Sequence, residues 1–122
     1  MKNLVSIIEI PTVDFQRAVT FYKTILNIDI EEMEMGDSTL GVFPSDGNVV
    51  NIVLIRSDDY TPSDKGVLIH LSVDGDLQPT LDAITRLGGT VVIPITEISP
   101  EMGNYATFID TEGNKLGLHS FG

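Results

Sequence analysis

Apolar and polar positions alternate in two distinct rhythms along the chain. Leu4 to Ile10 is dense in Val and Ile and stops at Pro11, the composition of a buried strand that ends in a turn. After it, Phe15, Ala18, Val19, Tyr22, Ile25 and Leu26 recur at three-and-four spacing behind Asp14, a capping residue, with Lys23 near the end. That spacing predicts an amphipathic helix whose end favours a cation. Ile28 to Glu34, Thr39 to Phe43 and Val49 to Ile55 then read as strands, separated by turns at Met35-Gly36-Asp37-Ser38 and Asp46-Gly47-Asn48.

Ser57 to Lys65, with Asp58, Asp59 and Asp64 separated by Tyr60 and Pro62, is linker-like, and beyond it the pattern starts again. Val67 to Val73 is an apolar strand, Asp76 a second cap candidate, and Leu77, Leu81, Ile84 and Leu87 a second helical stripe closed by Gly88-Gly89. Pro79 falls in the first turn, where proline is tolerated. Thr90 to Ile98, Asn104 to Asp110 and Lys115 to Ser120 are three more strands, the last two joined by a Thr111-Glu112-Gly113-Asn114 turn in which Gly and Asn accept positive φ. A shift of 62 positions lays Asp14 on Asp76, Phe15 on Leu77, Val19 on Leu81 and Tyr22 on Ile84. The expectation is an α+β fold of two βαβββ modules in one domain, 1–122. Module one covers about 1–56, the linker 57–65 and module two about 66–122, with paired curved sheets that leave a cleft.

Composition narrows the function classes. With 7 Lys+Arg against 18 Asp+Glu the net charge is −11, which repels phosphate backbones and anionic membranes and makes nucleic acid a poor partner. By the same reasoning neutral or cationic ligands are preferred. Cysteine is absent, which removes disulfides, thiolate ligands and cysteine nucleophiles. No apolar run approaches the roughly 18 residues of a membrane span, and Met1-Lys2-Asn3 leads straight into a strand-like segment. A soluble, unprocessed, cytoplasmic chain is expected.

The doubled pattern resembles a known family, the vicinal oxygen chelate superfamily that holds glyoxalase I, bleomycin-resistance proteins and extradiol dioxygenases. Carrying the resemblance are Glu9-Ile10-Pro11 before Asp14, Phe21-Tyr22 in the first helix, Val73-Asp74-Gly75-Asp76, Leu87-Gly88-Gly89 and Asp110-Thr111-Glu112-Gly113-Asn114. The resemblance implies a fold with a U-shaped cleft between sheets and a homodimer. It also implies metal ligands on the first, fourth, fifth and eighth strands. Those positions fall on Ile7, on a fourth strand with no acid between Asp46 and Asp58, on Leu68 or Ile69, and on Gly117. None can bind a divalent cation, so no cofactor is expected at the family positions.

Glu9, His70 and His119 each stand two residues beyond one of these positions, on the same face by strand alternation. Two His and one carboxylate are the set that binds non-haem Fe(II), Mn, Ni or Zn, so a displaced metal site is one reading. Hydrogen-bonded residues, or a metal-free acid/base role for Glu9, are the others. Met33, Met35, Phe43, Tyr60, Met102, Tyr105 and Phe108 are candidates to line a pocket or to fill the core. Ser99 to Gly103 is a lid or a plain connector. Glu31, Glu32 and Glu34 read as a solvated face, and a calcium loop from Asp74 fails because Pro79 holds the sixth position.

Two function hypotheses follow. One is a glyoxalase/bleomycin-resistance-like binder of a small organic molecule, its pocket drawing on Glu9, His70, Met102, Tyr105, Phe108 and His119. The other is a metal-dependent lyase, isomerase or dioxygenase using Glu9, His70 and His119.

Overall fold

The computed structural model describes residues 4–45 and 50–122. The expected turn at Asp46-Gly47-Asn48 and the Val49 start of the fourth strand lie outside the described residues, as do Met1-Lys2-Asn3. The chain forms two compact units, Met1–Pro62 and Ser63–Gly122.

The first unit runs β1 (Ile7–Pro11), α1 (Phe15–Leu26), β2 (Glu31–Met35), β3 (Ser38–Val42) and β4 (Asn51–Arg56). Asp14 caps α1 by accepting the Arg17 N–H at 3.1 Å, and Asn27 closes it in the left-handed region. The helix buries Phe15, Ala18, Val19, Phe21, Tyr22 and Ile25. Tyr22 meets the Phe43 ring at 5.7 Å, and Leu54 on β4 is fully buried. The sheet order is β1-β4-β3-β2, with β1 parallel to β4 and Glu9 level with Val53. Leu4 to Ser6 stay outside β1. Pro11 is its last residue, a position an edge strand tolerates because no ladder N–H is needed on the open side.

The second unit repeats the plan: β5 (His70–Ser72), α2 (Gln78–Arg86), β6 (Thr90–Ser99), β7 (Gly103–Ile109) and β8 (Lys115–Ser120), in sheet order β5-β8-β7-β6 with β5 parallel to β8. Leu71, Ala106, Phe108, Leu116 and Leu118 fill one side of this sheet, and Leu77, Leu81 and Ile84 supply the apolar stripe of α2.

Three expectations change here. The fifth strand is three residues long instead of seven, because β5 is an edge whose ladder ends where β8 offers groups: Gly117 N–H to Ile69 C=O, and Val73 N–H to His119 C=O. Val67 and Leu68 before it are exposed. The second helix starts at Gln78, with Leu77 at the cap position, while the Asp76 carboxylate accepts the Gln78 N–H at 2.9 Å. In the turn after β7 only Gly113 has positive φ. Asn114 acts through its side chain, donating to Asp110 and accepting the Ser63 N–H.

Asp110 is the hub of that turn. It is buried, accepts the Glu112 and Asn114 N–H groups at 2.8 and 2.9 Å on one oxygen, and takes the Asn114 amide at 3.2 Å on the other. Helix α2 ends where Gly88, with φ +99, turns the chain and Gly89 N–H returns to the Ile84 carbonyl. No described helix is long and apolar enough to cross a membrane.

Asp110→Ala strands buried donors that water cannot reach. The expected loss is about 3 kcal/mol of unfolding free energy, read as a lower urea midpoint at unchanged m-value.

Candidate functional site

Strand alternation divides each sheet into two sides. In the first unit, strand alternation places Ile7, Glu9 and Pro11 together, opposite Ile8 and the buried Ile10. Glu9 is exposed and takes a hydrogen bond from the Tyr60 hydroxyl. That bond, followed by the charge of Glu9, partial desolvation and the charge of Asp59, raises the Tyr60 phenol above its ordinary 10.0. Met33 and Met35, considered as pocket residues, are exposed on β2, and Glu31, Glu32 and Glu34 beside them are exposed as expected. Gln16 donates to Glu32 at 2.8 Å. Phe43 belongs to the core, with its edge in a shallow depression of about 390 Å³ that Asp29 and Glu31 share.

In the second unit, pairing arranges the side away from the apolar core into rungs. One reads His70–Gly117–Thr107–Ile93 and the next Ser72–His119–Tyr105–Thr96. The ladder therefore puts His70, and not Leu68 or Ile69, level with Gly117. The imidazole lies over the glycine so closely that a Cβ built there would overlap the ring. Tyr105 meets the same imidazole edge-on at 6.0 Å.

His119 is engaged otherwise. Its Nε2–H donates to the Met102 carbonyl at 2.6 Å, since a carbonyl only accepts, and its ring packs on Phe121 at 4.5 Å. Met102 N–H in turn donates to Ser99 Oγ at 3.0 Å, so the Ser99–Gly103 loop is tied to β8 through Met102. Phe108 departs from the pocket reading: fully buried opposite Leu116, it faces the core side. Thr107, fully buried on the His70 rung, and Lys115 were not singled out from sequence. An alternation count from Gly117 finds Lys115, but Thr107 required the β7–β8 register.

The model of the Glyoxalase/Bleomycin resistance protein/Dioxygenase superfamily matches residues 4–118. The chain belongs to this superfamily. A glyoxylase-like domain-containing protein of Didymella fabae is 28% identical over 120 residues, covering 90% of this chain and 88% of that one. Among solved structures, a glyoxylase/bleomycin resistance protein/dioxygenase domain from Frankia sp. EAN1pec has TM-score 0.76 at 18% identity, covering 98% of each chain. An antibiotic binding protein from Streptomyces sp. CB03234 has TM-score 0.68 at 21% identity, covering 97% of this chain and 95% of that one. Glyoxalase I from Zea mays has TM-score 0.72 at 17% identity over 94% of this chain, which spans 45% of that protein. These structural likenesses are likenesses of fold.

The superfamily's metal can be tested against the residues in place. Ile7 and Gly117 bring no side-chain donor and β4 carries no carboxylate, which leaves the neighbouring His70 imidazole as a single donor. One donor does not hold a divalent cation. For the displaced set, Glu9 takes the Tyr60 hydrogen bond and His119 Nε2 is committed to Met102. Among the described residues no three His, Asp or Glu side chains gather as a metal-holding group.

Two measurements follow. Ultraviolet titration should place the Tyr60 ionisation above the ordinary range, and Glu9→Gln should lower it. The hydroxyl proton exists only in the neutral phenol, so the bond's contribution is full below the unfolded value and lost as pH climbs through the raised one. Gly117→Ala should swing the exposed imidazole off Tyr105, seen as changed His70 ring-proton shifts. The cost should stay within about 1 kcal/mol and vanish in a His70→Ala background.

Proposed function

We propose that this superfamily member is a binding protein that holds a small organic molecule without a metal, on the side of its second sheet that carries His70, Tyr105 and His119. The observation that carries the reading is the imidazole of His70 standing over Gly117, where the metal-dependent pattern calls for a carboxylate. An imidazole beside an aromatic wall suits a ligand with one polar group and an apolar body. The fold likeness to an antibiotic binding protein supports the same class of activity. A metal-dependent lyase, isomerase or dioxygenase needs donors that Ile7, β4 and Gly117 do not supply. The proposal includes pairing with a second copy, supported by the exposed apolar Leu4, Val5, Ile7 and Val67 next to edge strands.

The test has two readouts on the full chain. Mass spectrometry after dialysis against Zn, Ni, Mn and anaerobic Fe(II) should find no stoichiometric metal. A thermal-shift screen of antibiotics and aromatic metabolites should find a ligand whose affinity falls about tenfold in Tyr105→Ala, the size of a lost aromatic wall. A retained equivalent of metal that disappears in His70→Ala/His119→Ala would replace this reading with the enzymatic one.

A further inference from the structure

The chain is strongly acidic, yet the side of β5-β8-β7-β6 that carries His70 is not. By register that side presents His70 and Ser72 from β5, Lys115, Gly117 and His119 from β8, Gly103, Tyr105, Thr107 and Ile109 from β7, and Thr90, Ile93, Thr96 and Ser99 from β6. None is an acid. The one carboxylate within these strands, Glu97, pairs with Asn104 and so falls on the opposite side.

Three donors surround Gly117. Lys115 stands two residues before it, about 7 Å along the strand, and His70 and Thr107 flank it on the neighbouring strands, each about 5 Å away. Lys115 makes no ion pair among the described residues. The Thr107 hydroxyl is buried, at 1% exposure, and has no hydrogen-bond partner. A buried hydroxyl left unpaired is costly and calls for a partner from outside the chain. His119 adds no donor here, because its Nε2–H already serves Met102.

We propose that Lys115, Thr107 and His70 form a subsite beside Gly117 for the anionic group, of carboxylate or phosphonate type, of the small molecule that this sheet binds. The inference rests on the binding reading above and sharpens it, reversing for this site the preference for neutral or cationic ligands that the net charge of −11 suggests. Glycine at 117 is part of the design, since it leaves the room the His70 ring occupies between Lys115 and Thr107, and a side chain there would displace that ring. The hydroxyl is covered, so the exposed His70 ring has to swing aside for the anion to reach it.

Four probes sharing one ring test this: benzoate, phenylphosphonate, benzamide and benzylammonium, titrated against the full chain and followed on the Thr107 methyl and His70 ring signals. Benzoate and phenylphosphonate should bind at least fivefold tighter than benzamide. Lys115→Gln and Thr107→Val should each weaken benzoate about fivefold, with Lys115→Arg and Thr107→Ser restoring most of it. Benzamide or benzylammonium binding as well as benzoate overturns the anion subsite and leaves the binding reading standing. Unchanged benzoate affinity in Thr107→Val and Lys115→Gln also overturns it, water then being the hydroxyl's partner. If none of the probes moves these signals and the ligand screen is empty, both readings fall.

Discussion

The parallel pairing of β5 with β8 is the constraint on which the second unit's chemistry depends. Three residues of an edge strand align with Lys115–Ser120 so that His70 stands beside Gly117 and Ser72 beside His119. A slip of one residue would send His70 to the core side and Leu71 to the other, exchanging an imidazole for a leucine in the interior. The buried Leu71, Leu116 and Leu118 oppose that slip, because it would turn Leu71 out of the core. The turn around Asp110 supports it from the far end by setting where β8 begins.

Net charge and local charge part company in this protein. Apart from the buried Asp110 and Glu112, the described acids are exposed, where water screens them, while the rungs around Gly117 carry only neutral and basic side chains. A global count describes how the molecule repels a distant polyanion. Within a hydrogen bond's reach, the groups lining a face decide, and desolvation makes their contribution larger.

Much of the architecture was legible because helix and strand periods are local properties. Asp14 as a cap, the stripe Phe15, Ala18, Val19, Tyr22, Ile25, the Gly88-Gly89 stop and the repeat of the βαβββ pattern all follow from spacing, and the residues quoted for the resemblance pointed to the superfamily that the chain belongs to. The length of the fifth strand was not legible, since Val67 and Leu68 look like strand residues and are excluded only by where β8 stops offering partners. Phe108 reads equally well as pocket or core until its register with Leu116 is known.

The sequence by itself determined which segments curl and which extend, that they do so twice, and that Ile7 and Gly117 bring no donor atom to a metal. Those facts reside in side-chain chemistry and in spacing between near neighbours. Tertiary structure alone decided that His70 lies over Gly117, that His119 spends its Nε2–H on Met102, that Glu9 meets Tyr60, and that the Thr107 hydroxyl is buried without a partner. Each of these joins groups far apart in the chain. Strand register, which sets them, is a collective choice made by burying whole apolar faces, and no local window of sequence contains it.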